Sequence, residues 1–220
     1  MTTFLLIPGA GGDASFWRYV VPVLHGLGHA AIPVDLPAQD ESAGWAEYTD
    51  TALAALGDAD PRTTVVVGHS MGAYVAPLVA ERVPVRLLVL VNPMIPAPGE
   101  TAGAWWDATG QGAARVAAGL GPFDPVADFF HDVPPEVTAE VMAGEERQPS
   151  DRSFAEPWPA TGWPAVPTVV LQGLDDRLFT PAFMRGLARD RLGVDPIEMP
   201  GGHLLALSRP QELARRLAAL

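Results

Sequence analysis

Short apolar runs rich in Val, Ile and Leu recur along the chain, separated by longer stretches whose apolar residues return every three or four positions. Runs of the first kind read as buried strands, and stretches of the second as amphipathic helices. The pattern predicts strands at about Thr3–Ile7, Ala30–Val34, Thr64–Val67, Arg86–Val91, Thr168–Gln172 and Asp195–Met199. Helices are predicted at about Phe16–Leu27, Gly44–Leu56, Met71–Arg82, Pro181–Arg191 and Pro210–Leu220. Such alternation implies an α/β fold, a mainly parallel sheet with helices on both faces and right-handed crossovers. Pro77 falls inside Met71–Arg82 and predicts a kink there.

The rhythm breaks between Ala97 and Ala165. That stretch has no strand signal, is rich in proline, and holds four of the six tryptophans: Trp105, Trp106, Trp158 and Trp163. Structureless loops of such length are uncommon inside a compact domain, and the aromatics argue against a disordered linker. The expectation is a helical cap, residues 97–165, inserted into a core formed by residues 1–96 and 166–220. At 220 residues the chain suffices for one large domain with a substantial core.

Composition narrows the chemistry. The net charge of −12 disfavours nucleic acid as a partner, because that binding depends on Lys and Arg neutralising phosphates. There is no cysteine, which excludes disulfides, thiolate metal sites and a Cys nucleophile. All 14 basic residues are Arg, so a Schiff-base lysine, a P-loop lysine and a Ser–Lys dyad are excluded as well. The segment Met1–Gly9 has no basic region, and its apolar run is too short for a signal peptide or a membrane span. A cytoplasmic location and no membrane partner are expected; oligomeric state is not legible.

One motif carries chemistry directly. Gly68-His69-Ser70-Met71-Gly72 follows the strand Thr64–Val67 and precedes a helical pattern. A G-x-S-x-G at a strand-to-helix turn holds its serine in a strained conformation, with the hydroxyl clear of the sheet. A general base for Ser70 belongs on a loop at the same sheet edge, and Gly201-Gly202-His203, after the last strand, fits. His25 and His29, near the end of the first helix, read as solvated or as partners of the helix dipole. His69 reads as structural, and His131 as a cap residue able to touch substrate. An aspartate should orient the base, and Asp175 and Asp176 compete after the strand Thr168–Gln172.

On these residues the chain resembles the α/β-hydrolases from end to end. More narrowly, it is similar to the esterase and hydroxynitrile lyase group that includes plant methyl-ester hydrolases. Pro8-Gly9-Ala10-Gly11-Gly12-Asp13-Ala14-Ser15-Phe16-Trp17 matches that group's opening His-Gly-Ala…Trp segment, with Pro8 where the group usually has His. Gly201-Gly202-His203 and Leu207-Ser208-Arg209-Pro210-Gln211-Glu212-Leu213 carry the likeness at the other end. The resemblance implies a catalytic triad of Ser70, Asp176 and His203; Asp176 is selected as the acid three residues after Gly173. It implies an oxyanion hole from the backbone N–H groups of Ala10 and Met71, and a structural role for Asp35 in an Asp-Leu-Pro turn. The group's hydroxynitrile lyases carry a lysine directly after the catalytic histidine and a hydroxyl side chain on the first strand. Here those positions are Leu204 and Leu5.

The expected activity is hydrolysis of small carboxylic esters or lactones through an acyl-enzyme, with no metal or organic cofactor. Between Ala97 and Ala165 stand three Arg against eleven Asp and Glu, a net charge of 3 − 11 = −8. That field would repel anionic substrates, while neutral esters would meet Trp and Phe faces. Two alternatives stay open: a lyase or cyclase using the same triad for proton transfer, and a small-molecule-binding protein with a vestigial triad.

Overall fold

The computed structural model describes residues 1–144 and 147–220. Six strands form one wholly parallel sheet in the order β2-β1-β3-β4-β5-β6. They are β1 (Thr3–Ile7), β2 (Ala30–Pro33), β3 (Thr64–His69), β4 (Leu87–Val91), β5 (Thr168–Gly173) and β6 (Ile197–Met199). The strands β1, β3, β4 and β5 are mainly apolar because both of their faces are covered. Leu5, Ile7, Val66, Leu88, Leu90 and Val170 point into one core. Their neighbours Phe4, Leu6, Val65, Val67, Leu87, Val89 and Leu171 point into the other. Fully burying one such side chain is worth about 1.5–3 kcal/mol, so β1, β3, β4 and β5 are held from both sides.

The helices sort by face. Ordered along the chain, α1 (Val20–Gly26), α2 (Trp45–Leu56) and α3 (Ala76–Arg82) come before β4, and α4 (Ala102–Ala108), α5 (Gln111–Ala117), α6 (Pro125–Phe129), α7 (Pro135–Ala143) and α8 (Asp151–Ala155) lie between β4 and β5. They are followed by α9 (Pro181–Leu192), α10 (Leu205–Ser208) and α11 (Pro210–Ala218). Helices α1, α10 and α11 supply Val20, Leu24, Leu205, Leu213 and Leu217 to one core. Helices α2, α3 and α9 supply Tyr48, Ala52, Val79, Met184 and Ala188 to the other.

Two expected helices differ in detail. The stretch from Phe16 is divided, with a 3-10 turn at Ala14–Trp17 ahead of α1. No kink stands at Pro77, because the α-helix begins beside it at Ala76. Proline has no N–H to give the carbonyl four residues earlier. The preceding segment, Ser70–Ala73, is accordingly a 3-10 turn, and Pro77 occupies the first helical turn, where its missing donor costs nothing.

Between β4 and β5 run five short helices among the described residues: Ala102–Ala108, Gln111–Ala117, Pro125–Phe129, Pro135–Ala143 and Asp151–Ala155. The tryptophans expected to offer their faces to substrate are largely used in packing. Trp105 and Trp158 are fully buried, and their indole N–H groups donate to the carbonyls of Ile95 (2.8 Å) and Tyr74 (2.9 Å). They bolt the insertion to the core. Arg115 and Asp128 form a buried ion pair at 2.8 Å, and Arg115 also donates to the Arg177 carbonyl beyond β5. Glu145 and Glu146, two of the eleven acidic residues counted above, lie outside the described residues. Among the described residues no helix is long and apolar enough to cross a membrane.

Candidate active site

The sheet order places β2 on one side of β1 and β3 on the other. The loops leaving β1 and β3 therefore diverge at a switch point, where open parallel sheets form a crevice beyond their C-terminal edge. Ser70 stands there, one residue past β3, with a backbone φ of 50°. A non-glycine residue in the left-handed region costs on the order of 1 kcal/mol and persists only when its surroundings impose it. Here the sharpness of the turn imposes it. A Cβ on Gly68 would come within 2.7 Å of the Gly72 carbonyl oxygen, and one on Gly72 within 2.5 Å of the Pro8 carbonyl oxygen. Glycine at both places lets the elbow close against the β1 loop. A backbone bond from Met94 N–H to the Ser70 carbonyl, at 3.0 Å, fixes the far side.

His203 lies four residues past β6 and turns its ring back toward this elbow. The Ser70 hydroxyl and His203 Nε2 are 3.1 Å apart, and His203 Nδ1 is 2.8 Å from Asp176 Oδ2. With Nδ1–H donating to the carboxylate, Nε2 presents a lone pair to the serine O–H. The second carboxylate oxygen, Asp176 Oδ1, accepts the N–H groups of Leu178 (2.8 Å) and Phe179 (2.9 Å). All three side chains are buried. Asp175 has another partner: its Oδ2 accepts the Gly201 N–H at 3.0 Å, and its own N–H donates to the Gly201 carbonyl at 2.9 Å.

The imidazole of His203 is walled by Phe179, edge-on with centroids 5.1 Å apart, and by Phe129 of α6, at 5.2 Å. His69 sits beneath it. Its Nε2–H donates to the His203 carbonyl at 3.0 Å, which fixes the tautomer because a carbonyl only accepts. Burial, reinforced by the neighbouring His203, lowers the His69 pKa from 6.5 to about 3. His69 is therefore neutral through the range in which most enzymes work.

From the insertion, Asp132 accepts the Gly202 N–H at 2.8 Å, and His131 Nε2 is buried against the same glycine. His131 thus faces the backbone beside His203. His29 accepts a bond from Thr2 N–H, and His25 is exposed in the last turn of α1. Asp35 accepts from Ala14 N–H (3.3 Å) and Arg147 (2.8 Å), joining the β1 loop to the insertion. Ala10 lies in the turn closed by the Gly12 N–H to Gly9 carbonyl bond (3.0 Å), and Met71 directly follows Ser70. Gly9 lies close beside Ser70, since a Cβ added to it would be 3.2 Å from the serine Cβ.

One residue at the site went unread in the sequence. Asn92, one position past β4 and fully buried, donates from Nδ2 to the carbonyls of Gly202 (3.0 Å) and His203 (2.8 Å). Its Oδ1 accepts the Gly173 N–H at 2.8 Å. The available signal was a lone polar residue closing an apolar run directly before Pro93.

The sequence profile of the Alpha/beta hydrolase family matches residues 4–216. The rice "Probable esterase PIR7A" (Oryza sativa subsp. indica) is 34% identical over 110 residues. That match covers 46% of this chain and 42% of the rice protein, so the chain is matched over less than half of its relative's length. Among solved structures, an extracellular alpha/beta-hydrolase from a Paenibacillus species, described as sharing structural and functional homology with tobacco salicylic acid binding protein 2, superposes with a TM-score of 0.81. It is 19% identical, with 100% of this chain and 98% of that chain covered. Polyneuridine aldehyde esterase gives a TM-score of 0.81 at 19% identity, over 100% of this chain and 98% of that one.

Proposed function

The chain belongs to the Alpha/beta hydrolase family, and from that premise we propose that it is a serine esterase that cleaves small neutral carboxylic esters or lactones. One observation carries the reading: the His203 imidazole is hydrogen-bonded on one side to Ser70 Oγ at 3.1 Å and on the other to Asp176 at 2.8 Å. A serine hydroxyl is a poor nucleophile until a base takes its proton, and a neutral imidazole oriented by a carboxylate is such a base.

Ser70 Oγ attacks the acyl carbon while its proton passes to His203 Nε2. Asp176, still ionised, stabilises the imidazolium. The carbonyl oxygen becomes an oxyanion facing the backbone N–H groups of Ala10 and Met71, where one lost donor would cost about 3–4 kcal/mol of transition-state stabilisation. As the tetrahedral species collapses, His203 returns the proton to the departing alkoxide and the alcohol leaves. Water, deprotonated by His203, then attacks the acyl-enzyme; the acid departs and Ser70 recovers its proton. No metal or organic cofactor takes part in these steps. Because backbone N–H groups supply both oxyanion donors, Pro8 in place of the group's usual His need not abolish the hole. The net acidity of the insertion supports neutral over anionic substrates.

The test is a panel of short p-nitrophenyl esters and lactones, with Ser70→Ala as the blank. Ser70-dependent turnover is expected, with no cyanide released from mandelonitrile or acetone cyanohydrin above the uncatalysed rate. Cyanide is an anion that needs a cation or donor when it departs. Leu5 is fully buried in the main core, and Leu204 packs with Val133, Val137 and Leu207, so neither offers one. A buried anion without a partner is costly by several kcal/mol. Cyanide release with esters left untouched would refute the esterase reading.

The pH dependence follows from two histidines with different tasks. His203 accepts a proton only when neutral, so kcat/KM is expected to rise from acidic toward neutral pH and then level off. His69, held down to about pKa 3, is already neutral across that range and adds no second proton to the rise. The acid limb should therefore have a slope of one on a logarithmic plot. A slope approaching two would mean that His69 titrates along with the base.

A further inference from the structure

Asn92 joins three pieces of chain that no other single side chain described above connects. It stands at the end of β4 with φ of 43°, in the left-handed region that only glycine enters freely. Asparagine tolerates that region better than most residues, so the angle alone would accept either Asn or Gly. What glycine would lack is the amide, and every principal hydrogen-bonding capacity of this amide is used. Both Nδ2 protons go to carbonyls, those of Gly202 (3.0 Å) and His203 (2.8 Å), and Oδ1 takes the N–H of Gly173 (2.8 Å). The orientation is unambiguous, because carbonyls require the NH2 and the N–H requires the oxygen.

The three partners matter for where they lie. Gly173 closes β5 and opens the turn bearing Asp176, while Gly202 and His203 form the loop bearing the base. The same amide thus ties the acid's loop to the base's loop, with no exposure to water that could substitute for it. His69 adds a second donor to the His203 carbonyl, at 3.0 Å. The backbone of His203 is therefore clamped from two sides, leaving ring rotation to be set by Asp176 and Ser70.

We propose that Asn92 is a positioning residue for proton transfer: it sets the His203 imidazole at its distance from Ser70 Oγ by anchoring the His203 loop to the Asp176 loop. The inference rests on His203 being the general base. Displacements of about 1 Å at a reacting centre cost on the order of 10²-fold in rate. Loss of the amide should therefore act on kcat and leave substrate binding nearly unchanged.

Two substitutions separate this role from a backbone one. Asn92→Gly keeps the φ angle without strain and deletes the amide. Asn92→Asp keeps the shape and the acceptor for Gly173, but turns a second oxygen toward two carbonyls. Burial favours the neutral form of that carboxyl, whose O–H can still donate to one of them; on ionising, it repels both. The expected results for Asn92→Gly are kcat lower by roughly 10- to 100-fold, KM within about threefold, and fluorophosphonate labelling of Ser70 slowed in parallel. For Asn92→Asp, kcat/KM should rise and then fall as pH increases, where the parent levels off. The downfield proton resonance of His203 Nδ1–H should shift or broaden in both variants. Asn92→Gly with parental kcat and labelling rate would overturn the proposal, since the asparagine would then serve only the backbone angle. So would an unchanged imidazole resonance in both variants. If the parent neither turns over esters nor labels at Ser70, the esterase reading fails instead, and the resonance still decides the role of Asn92.

Discussion

Ser70→Ala is expected to lower kcat for a short p-nitrophenyl ester by roughly 10⁴- to 10⁶-fold, because removing one member of a triad disables the unit. The variant should remain folded. The Ser70 side chain contributes one hydrogen bond, to His203, whereas the turn is held by backbone: the Met94 N–H to Ser70 carbonyl bond and the close passage of Gly72 over the Pro8 carbonyl. Alanine at φ of 50° carries the same kind of strain that serine already bears. A melting temperature close to the parent's, together with the loss of turnover, would separate chemistry from folding. In the same experiment a fluorophosphonate or sulfonyl fluoride should label the parent at Ser70 in step with inactivation. Stoichiometric labelling elsewhere, or near-normal turnover by the alanine variant, would remove Ser70 from the centre of the mechanism.

The legible parts of the sequence were those whose physical cause is local. Strands β1, β3, β4 and β5 stand out as apolar runs because residues on both sides of each strand enter a core. The edge strand β6 is only Ile197–Met199 and partly exposed, and its expected start at Asp195 fell outside it. The short helices of the insertion, five to nine residues each, carry too few turns for periodicity to reveal them one by one. Tryptophans there suggested pocket faces, yet Trp105 and Trp158 spend both ring and N–H on the core. The Ser70 turn was legible because its glycines meet steric demands within a few residues. Asn92 was not, since its partners at 173, 202 and 203 are distant in sequence and only the sheet order brings them to it. Asp175 and Asp176 are the same residue type at adjacent positions, so composition could not rank them; the resemblance to a family did.

Their opposite tasks make the sharpest comparison. Asp176→Asn is expected to lower kcat by roughly 10²- to 10⁴-fold, while Asp175→Asn should change it little. In the native arrangement Asp176 Oδ1 takes two backbone N–H groups, from Leu178 and Phe179, and Oδ2 takes the His203 Nδ1–H. An amide has one oxygen. Placing it on Leu178 and Phe179 keeps two bonds and turns the NH2 toward His203 Nδ1, which must then become an acceptor. The imidazole proton moves to Nε2, where it points at Ser70 Oγ, so the group that should take the serine proton already carries one. Turning the amide the other way restores the tautomer but sets the NH2 against two N–H donors, and neither orientation supplies the charge that stabilises the imidazolium. Asp175 acts differently: its side chain accepts one N–H, from Gly201, and an asparagine oxygen accepts it equally well. Equal melting temperatures with unequal kcat values would place the difference in chemistry. The reverse ranking, with Asp175→Asn crippled and Asp176→Asn near normal, would show that the carboxylate working with His203 is Asp175.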